Sequence, residues 1–585
     1  MGTAKARQPA RAGEKWTGAP DGAAKIRDSL RENVVNRMAT SRFDTHDVFN
    51  QAPPLGDIDL FDCDRPLADA VAANGAAAES DALSSFGRHW GTAEMREQAR
   101  LAEENPPKLH IFDARGARRD IAEFHPAYHH FMKESMAAGL HAMTWNDDAT
   151  IAAAPAEVAR AARYYMVAQV ENGHMCPVTM TRAAVGALAA EPSLVGQLMP
   201  KIAARHYDPS FRPWSEKFSM TLGMGMTEKQ GGTDVRANTT QALPVGDAYA
   251  ITGHKWFMSA PMSDAFLVLA QAPGGLTCFF MPRFCPDGRV NALHFQRLKN
   301  KLGNRSNASA EVEFKEAYAL RLGEEGRGVR TILRMVQLTR LDCAISSAGL
   351  MRAALVQALH NARHRTVFGK RLAEQPMMRL LLADLALESE GAVALVMRLC
   401  RAFDLSASNE AEAQLARALT PAVKYWICKT APSFAYEAME CLGGSGYVED
   451  GIVARLYREA PVNAIWEGSG NVMCLDVLRA IDRNGESLQT LVKQLLASAE
   501  DLQGAAAAVD LIARTLAGND AEAQARAAVE RLALLAAAAA LAQSAPAVAP
   551  IFARTRLAGR RGATFGTSDI SDSEAAMLLE RAWPA

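Results

Sequence analysis

Glu467 stands in Ile465-Trp466-Glu467-Gly468-Ser469-Gly470-Asn471, a carboxylate between aromatic bulk and glycines that let a backbone approach a ligand closely. Desolvated there, its pKa rises and it can take a proton from carbon; at a solvated helix start it would only favour the first turn. Shortly before it lies Leu442-Gly443-Gly444-Ser445-Gly446-Tyr447, and far upstream Met226-Thr227-Glu228-Lys229-Gln230-Gly231-Gly232-Thr233-Asp234. The second stretch combines hydroxyls, glycines and acids, which suits either a loop bonding a polar ligand or an ordinary glycine-rich turn. In Gly253-His254-Lys255-Trp256-Phe257-Met258-Ser259 an aromatic ring and a hydroxyl two residues apart share one strand face. Ala362-Arg363-His364-Arg365-Thr366-Val367-Phe368-Gly369 offers guanidinium donors suited to a diphosphate, or a basic helix end.

Two other sets carry less. His125 and His129 have helical spacing, but Pro126 starts that helix and no matching Cys/His set accompanies them, so no metal is expected. Gly443 to Gly446 is not a G-x-G-x-x-G turn in a strand-turn-helix unit, which argues against a Rossmann domain.

These residues need elements to hold them. From about residue 66 to 205, Ala- and Leu-rich stretches at helical spacing predict a helical region. From about 216, short β-prone runs bounded by turn residues predict a β domain, among them Ala265-Phe266-Leu267-Val268-Leu269 and Thr277-Cys278-Phe279-Phe280-Met281. Helical periodicity returns after Gly326-Arg327-Gly328, with Ser408 or Asn409 as a cap and Pro421 as a kink in one helix. Residues 481–585 predict a further helical segment, with Leu532–Leu541 in a helix and a turn at Ser544-Ala545-Pro546.

Composition narrows the class. At 585 residues the chain has material for three to four domains, and its net charge of −1 speaks neither for nor against nucleic acid. Nine scattered cysteines without a C-x-x-C pair fit a reducing cytoplasm. No apolar run reaches the roughly 18 residues of a spanning helix, so no membrane partner is expected. Residues 1–42 hold nine Lys/Arg against four Asp/Glu, which predicts a disordered basic extension, with Met38 an alternative start.

Together the motifs resemble the acyl-CoA dehydrogenase flavoproteins over about residues 45 to 480. Four stretches narrow the resemblance to that family's DNA-alkylation-response branch, the AidB type: His46–Gln51, Met224–Gly232, Lys301–Ser309 and Trp466–Arg479. The resemblance implies an α+β, mainly α fold with an N-terminal helical domain (43–215), a middle β-barrel domain (216–325), a C-terminal four-helix bundle with the FAD and active-site motifs (326–480) and an extra helical domain (481–585). It also implies a homotetramer, a dimer of dimers with FAD at subunit interfaces. The implied FAD contacts are Met226, Thr227, Gly232 and Thr233; Phe257, where relatives usually carry Trp; and Ser259, usually Thr, donating toward flavin N5. Further along they are Arg365 and Phe368; Gln375, one residue earlier than usual; Glu440, where relatives carry Gln; and Gly443, Gly444, Ser469 and Asn471. Glu467 aligns with the family's catalytic base, which takes a proton α to a thioester carbonyl while hydride leaves Cβ for the flavin. Arg479 is a candidate anchor for a polar group of the substrate.

Two functions remain open. One is an FAD-dependent dehydrogenase acting on an acyl-CoA or another small substrate, with the electron acceptor unspecified. The other is a protective protein that binds duplex DNA and whose flavin is structural or deactivates alkylating agents. Phosphate binding needs a basic surface. Residues 481–585 hold ten Lys/Arg against twelve Asp/Glu, yet Arg554, Arg556, Arg560 and Arg561 cluster, either as solvated surface or, in four copies, as a DNA patch.

Overall fold

The computed structural model describes residues 48–583 except Asn484; the basic extension at 1–42 and His46-Asp47 lie outside the described residues. One unit begins at Ala52 and carries every helix and strand of the described residues.

The chain opens with helices α1 (Arg65–Val71), α2 (Ser80–Trp90) and α3 (Ala93–Glu104). Asp64 caps α1 by accepting from Leu67 N–H, and Thr92 caps α3 by accepting from Met95 N–H. A hairpin then interrupts the predicted helical region: β1 (Lys108–Phe112) pairs antiparallel with β2 (Arg118–Glu123). Its ladder alternates in exposure, and Asp113 closes the turn by accepting from the Arg115 and Ala117 amides. Helices α4 (Pro126–Ala137), α5 (Ala156–Ala168), α6 (Met175–Leu188) and α7 (Pro192–Ile202) follow. His125 is the cap of α4, its ring accepting from Ala127 N–H, so it lies off the helix face that carries His129.

The β domain comprises β3 (Leu222–Gly225), β4 (Gln241–Val245), β5 (Ala248–Ser259), β6 (Ala265–Ala272), β7 (Gly275–Pro282), β8 (Leu293–Leu298) and β9 (Ser309–Leu322). The pairings β6–β7, β7–β9, β9–β5, β5–β4 and β4–β6 close a ring, to which β3 adds parallel on β6 and β8 adds on β9. β6 is apolar from Ala265 to Ala270 because both faces are covered there. Phe266, Val268 and Ala270 fill the ring, while Ala265, Leu267 and Leu269 pack on α6 and α7.

The three long helices of the bundle are α8 (Gly328–His364), α9 (Pro376–Leu405) and α10 (Glu410–Cys441). Between α8 and α9 a short hairpin pairs β10 (Thr366–Val367) with β11 (Lys370–Arg371). Asn409 caps α10, and the helix runs on through Pro421 and Pro432. Next come α11 (Gly444–Tyr447), α12 (Ile452–Glu459), α13 (Gly470–Arg483), α14 (Gly485–Ala497), α15 (Ala505–Ala517), α16 (Ala521–Ser544), α17 (Ala549–Phe552) and α18 (Asp572–Ala582).

The last hundred residues do not build a core of their own. Leu532, Leu535 and Phe552 join one continuous cluster with bundle residues such as Leu395 and Val423 and with N-terminal residues such as Leu67 and Trp90. The Ala-rich α16 can approach the bundle closely because its side chains are small.

The stretch Lys301–Ser309 links the β domain to the helices. A Cβ on Gly303 would strike the Arg458 carbonyl oxygen and the Glu459 backbone at the end of α12, atoms that cannot swing aside. Overpacking of this kind costs about 1–3 kcal/mol. Gly303→Ala is therefore expected to lower the urea midpoint by that equivalent, and an unchanged midpoint would mean the two backbones are free to separate.

Candidate active site

The first candidate loop is pinned to the strand beside it by an ion pair that the sequence did not announce. Glu228 and Lys255 are both fully buried, with Lys255 Nζ 2.9 Å from Glu228 Oε1 and 2.8 Å from the Leu269 carbonyl. Glu228 also accepts from Thr239 and Thr240 N–H, and the Thr227 carbonyl accepts from Trp256 N–H at 2.8 Å. Lys255 and these donors hold the Glu228 carboxyl down to about 2 despite burial. Met226 is half-buried, its carbonyl accepting from Asn238 Nδ2, while Gly232 and Thr233 are exposed. A Cβ on Gly232 would run into the Thr227 side chain.

Along β5 the pairing with β9 slips between Lys255 and Met258, a bulge at Trp256–Phe257. Met258 points into the barrel; Phe257, 50% exposed, and half-buried Ser259 lie on the other side. Lys299 Nζ sits 3.4 Å from the Trp256 ring centroid and 4.5 Å from that of Phe257.

Glu467 has φ +59, a left-handed conformation uncommon for a residue with a side chain, followed by Gly468 at φ +99. Its Oε2 accepts from Thr339 Oγ1 at 2.9 Å, its carbonyl accepts from Arg340 Nε at 3.0 Å, and Lys424 Nζ donates to the Gly468 carbonyl at 2.9 Å. Arg340 is held in turn by Asp476 at 2.5 Å. Helices α8, α10 and α13 thus fix the turn. Burial raises the Glu467 carboxyl above its ordinary value, while Thr339, Arg340 and Lys424 pull the other way. The buried Cys176, near the start of α6, feels both Ser259 and Glu467, which ties the strand and the acid to one region. Ser469 and Asn471 are exposed at the start of α13, with Asn471 Oδ1 accepting from Arg526 Nε of α16 at 2.9 Å. Arg479 is also exposed, roughly 14 Å further along that helix at 1.5 Å per residue.

A second set lies elsewhere. Arg365 ends α8, and the β10–β11 hairpin turns on Phe368 (φ +50) and Gly369 (φ +78), the paired positive φ of a two-residue hairpin loop. Phe368 is 98% exposed on that strained tip. Gln375 Nε2 donates to the Val367 carbonyl at 3.0 Å, bracing the hairpin. Asn361 Nδ2 reaches the Cys441 carbonyl at 3.2 Å, so exposed Glu440 and the Gly443–Gly444 turn lie at the same bundle end. From Thr339, beside Glu467, to the end of α8 is 25 residues, roughly 37 Å of helix. One chain therefore does not bring Arg365, Phe368, Gln375, Glu440, Gly443 and Gly444 to Glu467.

The arginine cluster is not a free basic surface. Arg556 is a correction to its place among DNA candidates: it is 3% exposed and bonds Asp384 and Glu388 at 2.6 Å each, with Ser568 at 3.0 Å. Arg554 pairs with Glu574 at 2.7 Å, while Arg560 and Arg561 lie 3.6 Å from Asp569 and Glu388. Elsewhere, Ser135, His174 and Glu171 line up as a nucleophilic triad would, with His174 Nε2 2.8 Å from Ser135 Oγ and Nδ1 2.5 Å from Glu171. Ser135 and His174 are fully buried between stacked aromatic rings, so the set is a core network. Among the described residues no group of three or more His/Cys/Asp/Glu could hold a metal ion.

A flavin dinucleotide needs a flat apolar surface with a hydroxyl at the ring edge and room for phosphates against backbone. Phe257 and Ser259 offer the first, and a Cβ at Gly443 or Gly444 would meet nothing within 4 Å. The residues fit FAD.

Known proteins give the same outline. Residues 50–209 match the adaptive response protein AidB N-terminal domain, 223–317 the acyl-CoA dehydrogenase middle domain and 326–481 the acyl-CoA dehydrogenase C-terminal domain. The chain is 50% identical to the putative acyl-CoA dehydrogenase AidB of Escherichia coli over 441 residues, 75% of this chain and 81% of that protein. It is 32% identical to acyl-CoA dehydrogenase family member 11 of Caenorhabditis elegans over 68% of this chain and 66% of that protein. The crystal structure of Caenorhabditis elegans ACDH-11 in complex with C11-CoA superposes with a TM-score of 0.78 at 26% identity, covering 93% of this chain and 94% of that one.

Proposed function

The chain belongs to the acyl-CoA dehydrogenase family, in its AidB branch, and from that premise we propose that this FAD-dependent, dehydrogenase-type oxidoreductase uses Glu467 as the base that takes a proton from carbon of an acyl thioester. The observation that carries the assignment is the Glu467 carboxyl itself, raised by burial and aimed by Thr339 and Arg340 from a strained turn. FAD, when bound, supplies the acceptor for the hydride. Phe257 and Ser259 would flank its ring, with Met226, Thr227, Gly232 and Thr233 along one edge. Ser469, Asn471 and Arg479 remain candidates for contacts at the start and along the face of α13. The C11-CoA bound to the worm relative supports a thioester as substrate class.

Arg365, Phe368, Gln375, Glu440, Gly443 and Gly444 serve the same FAD only from a second copy. Their distance from Glu467 in one chain supports a site shared between subunits, in a homotetramer arranged as a dimer of dimers. Among the described residues no helix is long and apolar enough to cross a membrane. Nine free cysteines support a reducing cytoplasm as the location. A duplex-binding, protective role would rest on Arg554, Arg560 and Arg561, each already facing a carboxylate.

An anaerobic titration of the FAD-loaded protein with a panel of acyl-CoA thioesters tests the proposal, with labelled duplex run alongside at two salt concentrations. Bleaching of the flavin by at least one thioester is expected. Absence of bleaching by every thioester, with duplex binding that weakens in salt, would transfer the function to DNA protection.

A further inference from the structure

Lys301 belongs to none of the roles above, yet its ammonium is wired to Ser259. Its Nζ donates to the Asn307 carbonyl at 2.5 Å and to Ser309 Oγ at 3.3 Å, and Ser309 Oγ lies 3.0 Å from Ser259 Oγ. The register places Ser309 directly opposite Ser259 across β9 and β5, so the two hydroxyls meet as a cross-strand pair. Among the described residues no carboxylate forms an ion pair with Lys301.

An ammonium has donors only. Ser309 Oγ therefore accepts from Lys301, and among the described residues the acceptor within hydrogen-bond reach of its own proton is Ser259 Oγ, at 3.0 Å, which favours donation from Ser309 to Ser259. Ser259, having accepted, turns its proton away from Ser309, toward the half-buried side that it shares with exposed Phe257. The other group that Ser259 can reach there is the Cys176 thiol. We propose that Lys301 is a positioning residue that polarises the Ser309–Ser259 pair and so fixes Ser259 as a hydrogen-bond donor toward the flavin ring. The inference rests on the placement of FAD beside Phe257 and Ser259.

Ionisation of Lys301 makes the relay observable. Burial draws its pKa down to about 8, against Cys176, Glu459 and Glu103, which face it from α6, α12 and α3; Glu467 acts on the same Cys176 thiol. Below that pH the ammonium imposes one direction on the chain. Above it the neutral amine can accept as well as donate, and both serine hydroxyls are free to reverse.

The test is the visible absorption spectrum of the FAD-loaded full chain between pH 6 and 10. A transition near pH 8 is expected in the unaltered protein and its loss in both Lys301→Met and Ser309→Ala. Ser309→Ala keeps the lysine and removes only a hydroxyl, so it carries the test if Lys301→Met fails to fold. A transition of unchanged midpoint and size in Ser309→Ala, or none in the unaltered protein, overturns the relay. Ser259→Ala separates the two levels. If it leaves the spectrum of bound FAD unchanged, the flavin is not beside Ser259 and the cofactor placement fails. If it shifts the spectrum while Lys301→Met and Ser309→Ala do not, the relay alone fails.

Discussion

Glu467→Gln is expected to keep FAD bound and to lower thioester dehydrogenation by roughly 10²- to 10⁴-fold, the usual contribution of a positioned acid or base. Gln is nearly isosteric and can still accept from Thr339 Oγ1, so the turn and the cofactor contacts should survive while the proton acceptor is lost. The pH profile gives an independent check. The base must be ionised to act, and burial raises the Glu467 pKa, so kcat/KM should climb with pH through a limb lying above the ordinary glutamate value, and the Gln variant should lack that limb. Stability should move the opposite way. A carboxyl whose folded pKa is raised favours the fold most at low pH and loses that contribution as pH rises through the folded pKa. Removing its charge should leave the variant at least as stable as the parent at neutral pH. Unchanged turnover in a folded, FAD-loaded Glu467→Gln protein would falsify the assignment.

The acid and the strand pair were legible in the sequence because each is a local signal: a carboxylate among glycines and two side chains at period 2, whereas the hairpin after α8, read only as a basic helix end, was not. The groups that make the acid work were not. Thr339 and Arg340 lie 128 and 127 residues from Glu467, and Lys424 reaches the Gly468 carbonyl from a third helix. No periodicity connects them, since only the packing of α8, α10 and α13 does. Glu228 looked like one more polar residue in a loop until the fold set it against Lys255 in the barrel wall.

Element types followed the same logic. β6 was readable as an apolar run because both its faces are covered, whereas β1 and β2 escaped because their alternation, Lys108-Leu109-His110-Ile111-Phe112, mixes charge with apolar residues on a weakly buried hairpin. Residues 481–585 were readable as helices but not as part of the bundle's core. Amphipathic spacing says that a face is buried, not against what.

Arg556 shows how far a charge pattern alone can mislead, and its loss carries a large expected stability effect. Arg554, Arg556, Arg560 and Arg561 look like a phosphate-binding run, but Arg556 turns inward to Asp384 and Glu388 on α9. Asp384 also accepts from Gly566 N–H and Ser568 Oγ, so this one guanidinium bridges two buried carboxylates in a pocket that fastens the last segment to the bundle. Arg556→Met should destabilise the protein by about 3–5 kcal/mol, the cost of leaving buried carboxylates without their partner. Arg561, 3.6 Å from Glu388, offers only partial compensation. Adding Asp384→Asn and Glu388→Gln should recover part of the loss, because the charges left unpaired are then gone. Denaturant unfolding of the single and triple variants measures both effects, and hydrogen exchange should place the loosening in α16 to α18. Duplex affinity of the folded Arg556→Met protein should equal the parent's. If it falls while the fold and its unfolding midpoint hold, Arg556 reaches phosphate and the buried ion-pair account is wrong.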